Sequence, residues 1–347
     1  MLALEPKNPD LVLAGIEDGK LTPAEALRLL KCAGEHGREG SAVRQRSAGE
    51  AATFPGAGTD PAAGGPGPGS AGPAGADWRL KEALAELDAL IGLDKVKALV
   101  REIVAYVRIQ QIRAARQLTC EPLVLHMIFS GNPGTGKTTC ARLFGKIFRE
   151  MGVLEKGHLV ERERADLVGE YIGHTAQKTR EQIKKALGGI LFIDEAYSLA
   201  RGGEKDFGKE AIDTLVKGME DFRDRFIVIL AGYRDEMTTF INANPGIKSR
   251  FPIHIEFPDY TTEELLRIAD LMLKKRDYRL DVAARARLEA ILSRRTGPGN
   301  EHSGNARLVR NLIERAIRRQ ALRLVEKPNL SREELMIIRR EDIADDF

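Results

Sequence analysis

Gly131-Asn132-Pro133-Gly134-Thr135-Gly136-Lys137-Thr138 matches the pattern G-x-x-x-x-G-K-[ST] at every position, and its surroundings match as well. Val124 to Phe129 is an apolar run that reads as a buried strand, and Thr139 to Arg149 follows with a helical pattern. Between strand and helix, glycines let successive backbone N–H groups turn inward around phosphates. Lys137 then sets a point charge against the β- and γ-phosphates, and the Thr138 hydroxyl can ligate Mg²⁺. A chance glycine turn would not need strand, loop and helix together. The segment implies a nucleoside triphosphate site.

Downstream, Gly189-Ile190-Leu191-Phe192-Ile193-Asp194-Glu195-Ala196 is a second apolar run, ending in two acids. Such a run suits a central parallel strand whose C-terminal end opens at a ligand crevice. Asp194 is then placed to hold Mg²⁺, directly or through water, and Glu195 to polarise a water for in-line attack on the γ-phosphate. Two solvated acids at a strand end are the plainer alternative, but the upstream phosphate loop favours hydrolysis.

The chain of 347 residues is long enough for two domains with extensions. Charged residues make up 30% and the net charge is +3, so no strong bulk field points to nucleic acid or membrane. No apolar run approaches the ~18–20 residues that span a bilayer, and residues 1–10 show no secretory pattern. Cys32, Cys120 and Cys140 have no metal-like spacing. These features predict a cytoplasmic protein of a reducing compartment, without membrane insertion.

Four regions are expected. Residues 1–50 carry a short helical hairpin: Asn8-Pro9-Asp10 starts one helix, Gly19 ends it, and Thr22-Pro23-Ala24-Glu25 opens the next as a capping box. It is either a docking module or a frayed tail. Residues 51–76, nearly all Ala, Gly and Pro, form a tether with an r.m.s. reach of about 30 Å. Residues 77–258 open with a helical pair over 79–117. Strands then fall near 124–129, 158–163, 190–194, 226–231 and 253–257, alternating with helices. This predicts an α/β domain with a parallel sheet covered on both faces. Residues 259–347 read as helices only, a small all-α domain with helix starts at Thr262 and Asn305.

Phosphate loop, acid pair and trailing helical lid together resemble the AAA+ P-loop ATPases. The segments Ala165-Asp166-Leu167-Val168-Gly169-Glu170-Tyr171-Ile172-Gly173-His174-Thr175 and Ala196-Tyr197-Ser198-Leu199-Ala200-Arg201-Gly202-Gly203 are similar to those of the rubisco-activase-like subgroup. The resemblance covers roughly residues 80–325. It implies ATP as the nucleotide, Mg²⁺ as cofactor, and a homo-oligomeric ring, a hexamer, acting on a protein client. It implies that Ser249-Arg250-Phe251-Pro252 carries an arginine finger, Arg250, that reaches the neighbouring subunit's γ-phosphate. Gly304-Asn305-Ala306-Arg307 would supply the lid sensor Arg307, and Tyr171-Ile172-Gly173 a pore loop. The nucleotide-binding set is Gly131, Asn132, Pro133, Gly134, Thr135, Gly136, Lys137, Thr138 and Thr139, joined by Ile91 and Gly92 from the Leu90-Ile91-Gly92-Leu93 segment. The fourth strand ends in Leu230-Ala231-Gly232-Tyr233-Arg234-Asp235, where the family usually carries Asn or Thr. That leaves the first sensor open between Tyr233 and Asp235.

Three functions compete. A ring motor that pulls on a protein client uses every motif. A nucleotide-gated assembly switch would make the N-terminal hairpin the effector. A DNA-associated ATPase would rest on Arg310, Arg315, Arg318, Arg319 and Arg323, but Glu301, Glu314 and Glu326 lie nearby, as on a solvated face or subunit contact. Activation of rubisco is a weaker form of the motor reading, because no segment identifies a rubisco-binding surface.

Overall fold

Residues 73–120, 124–171, 173–201, 207–296 and 304–344 are described in a computed structural model of the chain. The expected hairpin of residues 1–50, the tether as far as residue 72, and Ile172 lie outside them. The described residues divide by contact into two compact units, one within 73–80 and 106–120 and one within 81–105 and 124–344. Two helices run through both: α1, Pro73–Asp88, and α2, Asp94–Ala115. α1 reaches back into the segment expected as tether. Proline suits a first helical turn because the N–H it lacks has no partner there. In the smaller unit Arg113 Nη2 donates to Thr119 O at 3.1 Å just past the end of α2.

The larger unit is built on five strands: β1 Met127–Gly131, β2 Leu159–Arg162, β3 Ile190–Ile193, β4 Ile227–Gly232 and β5 Ile253–Phe257. All pairings are parallel and the order is β2-β3-β4-β1-β5. Parallel strands need crossover helices, which cover both faces and bury the central strands, while the edge strands β2 and β5 stay partly exposed. Every residue of β3 and β4 is accordingly buried. The crossovers are α3 Lys137–Glu150, α4 Arg164–Leu167, α5 His174–Ala186, α6 Gly208–Asp221, α7 Arg234–Ala243 and α8 Pro245–Arg250.

Two element boundaries differ from expectation in ways that matter for the site. β1 begins at Met127 rather than Val124 and extends into Gly131, because the loop's first glycine still pairs with Phe257 of β5. α3 begins at Lys137 rather than Thr139, so Lys137 and Thr138 sit in its first turn, where backbone N–H groups lack helical partners. Cys140, Leu143, Phe144 and Ile147 recur at helical spacing and are buried. Phe144 meets Phe129 of β1 edge-on at 5.7 Å, and Phe129 meets Phe257 at 5.0 Å. This aromatic packing, worth about 1.5–3 kcal/mol per fully buried side chain, ties the helix after the loop to the strand before it.

Beyond β5 come α9 Thr262–Lys274, α10 Val282–Arg295, α11 Asn305–Val325 and α12 Arg332–Met336. Thr261 caps α9 in a reciprocal box with Glu264. The expectation of helices alone needs one correction: β6, Arg279–Leu280, pairs in parallel with β7, Ile337–Ile338. Two residues are too few for a periodic signal. The pair is held from outside, by Gln320 Nε2 donating to Leu335 O and Ile337 O at 2.9 and 3.0 Å. Arg323 of α11 also grips buried Asp342 with two bonds of 3.0 and 2.8 Å. Among the described residues no helix is long and apolar enough to cross a membrane.

Candidate active site

Because β4 is inserted between β1 and β3, three strand ends open side by side: Gly131, Asp194 and Gly232. A cavity of about 250 Å³ lies there, at the C-terminal edge of the sheet where parallel folds bind ligands. The loop lines it with Gly131, Pro133, Gly134, Gly136 and Lys137, and α3 adds Thr138 and Thr139. Asp194, Glu195 and Tyr233 come from the strand ends, and Ala306, Arg307 and Arg310 from α11.

Lys137 Nζ donates to Gly131 O at 2.6 Å and Asn132 O at 2.9 Å, so the ammonium lies over the loop. Burial lowers its pKa; the Asp194 carboxylate opposes that fall, the Arg307 charge adds to it, and Asp259 opposes it. Glu195 stands at φ 46 and ψ 44, a left-handed conformation that costs a non-glycine residue about 1–2 kcal/mol. In a continuing strand the carboxylates of neighbouring residues would point to opposite faces. The turn at Glu195 ends the strand and lets both acids line one cavity, with Glu195 N–H donating to Asp194 Oδ1 at 3.0 Å.

Thr138 and Asp194 offer a hydroxyl and a carboxylate, hard oxygen donors at one cavity. That set fits Mg²⁺, which takes one or two protein oxygens and completes its shell with phosphate and water. Among the described residues no group of three His, Cys, Asp or Glu side chains could hold a metal by itself.

Other candidates lie elsewhere. Thr135 is fully buried and its Oγ1 donates to Asn132 O at 2.8 Å, bracing the loop from within. The Asn132 side chain turns away from the cavity to Asp259. Ile91 is buried and Gly92 has φ 63, with Glu264 and Tyr260 pressed where a Cβ would stand; neither residue lines the cavity. Arg250 does not line it either. Its guanidinium pairs with Glu220, and its Nη1 donates to Gly246 O at 3.1 Å. Of the two residues left open after β4, Tyr233 reaches the cavity and Asp235 does not.

Tyr171 is 67% exposed, with His174 edge-on at 5.6 Å. Gly173 beside it has φ 83, and no atom lies within 4 Å of where its Cβ would be. Of the cavity's lining, Gly232, Ala306 and Arg310 escaped the sequence reading as site members, as did Asp259, Tyr260 and Asn305, which hold the loop from outside the cavity. Arg310 sits one turn after Arg307, a spacing that could have flagged it. Asp259 and Asn305 bond at 2.7 Å across 46 positions, and no local pattern records such a pair.

A family model described as "ATPase family associated with various cellular activities (AAA)" matches residues 127–259, and one described as "AAA lid domain" matches residues 261–347. Stage V sporulation protein K of Bacillus subtilis (strain 168) is 55% identical over 266 residues, 76% of this chain and 83% of that protein. Protein CbbX of Cereibacter sphaeroides is 50% identical over 247 residues, 70% of this chain and 79% of its own length. The chloroplastic ribulose bisphosphate carboxylase/oxygenase activase of Cyanidioschyzon merolae (strain NIES-3377 / 10D) is 46% identical over 270 residues, 76% of this chain and 91% of that protein.

Proposed function

This chain belongs to the AAA+ ATPases, and we propose that it acts as a ring motor, a hexamer, that uses ATP hydrolysis to remodel a protein client through a central pore. The membership makes it a nucleotide-binding enzyme that converts ATP and water to ADP and phosphate. The assignments of individual residues, the ring and the client are our reading.

In the reaction, the loop N–H groups and Lys137 hold the β- and γ-phosphates while Glu195 takes a proton from water. The water oxygen attacks the γ-phosphorus and the bond to the β-phosphate oxygen breaks. Thr138 and Asp194 would hold Mg²⁺, which when bound neutralises charge on the β- and γ-phosphate oxygens. Tyr233 is our choice for the polar residue that orients the water, since it shares the cavity with Glu195. Arg307 would follow the γ-phosphate from the lid.

One observation carries the motor reading beyond simple hydrolysis. Tyr171 presents a large, mostly exposed aromatic ring beside a left-handed glycine with open space around it. An aromatic ring that His174 touches edge-on and that is otherwise largely exposed suits gripping an extended peptide, and the glycine allows the loop to move. Arg250 is consistent with the ring: it lies outside its own cavity, and reaching a neighbour's would exchange its pairing with Glu220 for the phosphate. The named activase among the relatives is consistent with a protein client. The name of the Bacillus subtilis relative is the ground for proposing a link to sporulation, and a cytoplasmic location is our reading.

The test is steady-state ATP hydrolysis by wild type and Arg250→Ala over a range of protein concentrations. We expect wild-type specific activity to rise with concentration, the variant to stay flat, and added variant subunits to poison the wild type. Equal activity of both at every concentration would remove the shared site and with it the motor.

A further inference from the structure

We propose that Asp259 and Asn305 are positioning residues that clamp the start of the lid helix onto the phosphate loop, and that this clamp places Arg307 to distinguish a triphosphate from a diphosphate. The inference rests on the reading of Arg307 as the lid sensor and adds what holds it in place.

The four residues between the loop's first glycine and Gly136 are each bound from the hinge or the lid. Asn132 Nδ2 donates to both Asp259 carboxylate oxygens, at 3.1 and 2.9 Å. Pro133 O lies 3.4 Å from Asn305 Nδ2. Gly134 O accepts from Ala306 N–H at 3.1 Å, and Thr135 O accepts from the Tyr260 hydroxyl at 3.1 Å. The cavity side of the loop is left to its glycines, Pro133 and Lys137. Its outer side is read, residue by residue, by Asp259, Tyr260, Asn305 and Ala306.

Asn305 is the centre of this set. It is fully buried and stands at φ 47, outside the ordinary range of a non-glycine residue. Its side chain accounts for that conformation: Nδ2 donates to Asp259 Oδ1 at 2.7 Å, and Oδ1 accepts from Tyr260 N–H at 2.9 Å. A buried amide with both ends satisfied fixes one geometry, whereas a partly satisfied one would not. Arg307 follows two residues later, in the first turn of α11. Its backbone comes so close to Gly134 that a Cβ there would stand 2.9 Å from Arg307 N and 3.2 Å from Arg307 Cβ. The Arg307 charge is felt at Lys137, which places the guanidinium within electrostatic reach of the phosphate lysine. Apolar packing inside the lid sets the lid's shape. The Asp259–Asn305 pair sets where that shape begins relative to the loop.

The test uses the full chain and measures dissociation constants for ADP and ATPγS, together with kcat and KM. The variants are Arg307→Ala, Asn305→Ala, Asp259→Asn and the exchange Asp259→Asn with Asn305→Asp. The exchange keeps a carboxylate facing an amide and preserves the acceptor for Tyr260 N–H. We expect Arg307→Ala and Asn305→Ala each to shift the ADP to ATPγS affinity ratio at least fivefold. Combined, they should do little more than Arg307→Ala alone. The exchange should recover the ratio to within threefold of wild type, while Asp259→Asn alone does not. Thermal midpoints without nucleotide identify any variant that fails to fold, in which case Asp259→Asn and the exchange decide the matter. An unchanged ratio in Arg307→Ala overturns the sensor reading and the clamp together. A shift there, with a wild-type ratio in Asn305→Ala, or with effects of the two that multiply independently, overturns the clamp alone.

Discussion

Replacing Gly134 by alanine is a one-carbon change whose cost can be worked out from the site. Gly134 has φ 76, and an alanine forced into the left-handed region costs about 1–2 kcal/mol. The new Cβ would stand 2.5 Å from Gly304 O, against 3.4 Å for ordinary contact, so loop and lid must separate by about 0.9 Å. The two nearest atoms, Gly304 O and Arg307 N at 2.5 and 2.9 Å, belong to backbone, so no side chain can rotate out of the way. A displacement near 1 Å in a catalytic group can lower a rate by up to ~10²-fold. We therefore expect kcat to fall by roughly 10- to 100-fold, with ADP affinity changed less, because the lid arginine is what moves. Steady-state hydrolysis against ATP concentration measures the first quantity and fluorescent-ADP titration the second. Gly188→Ala controls for backbone strain, since Gly188 has φ 81 but its nearest prospective Cβ contacts, at 3.4 Å, are ordinary ones. A Gly134→Ala variant with kcat within threefold of wild type would refute the close approach of lid and loop as a determinant of turnover.

Glu195→Gln keeps the shape of the crevice and removes the proton acceptor. It should bind ATP normally and lose turnover by about 10²–10⁴-fold, and near-normal phosphate release in a coupled assay would count against its role. Tyr171→Ala should leave basal ATPase within twofold while abolishing unfolding of a tail-tagged fluorescent reporter protein; unaltered unfolding removes the pore loop. His126, buried at the start of β1, accepts from Val228 N–H through Nδ1 at 3.0 Å. Burial, with a smaller effect of Arg223, pulls its pKa down to about 4. The folded state therefore keeps it neutral while the unfolded chain protonates it below about pH 6.5. Stability should be full above that pH and fall by about 3 kcal/mol as pH drops from 6.5 towards 4. Denaturant titrations at pH 7 and 5 should show this fall in wild type and a smaller one in His126→Gln, and equal slopes would rule His126 out as the source.

The phosphate loop, the acid pair and the strand–helix alternation are local features, each settled by residues within a few positions of one another. Glycines that turn backbone N–H groups inward, a lysine and a threonine opening a helix, and an apolar run ending in Asp194-Glu195 need only their neighbours to be recognised. So the parallel sheet, the nucleotide chemistry and the start of α11 at Asn305 could be read from residue order. Strand order could not, because parallel neighbours are chosen by side chains far apart in the chain. It took the insertion of β4 between β1 and β3 to bring Tyr233, rather than Asp235, beside Glu195. The pairing of Arg250 with Glu220, 30 positions away, likewise exists only in the folded chain. The two-residue β6–β7 pair was hidden because two residues carry no period. The bonds that stitch Asn132 to Thr135 onto Asp259, Tyr260 and Asn305 were hidden for a different reason. Single hydrogen bonds between distant polar side chains leave no rhythm in the sequence, and they exist only where the fold brings the lid against the loop.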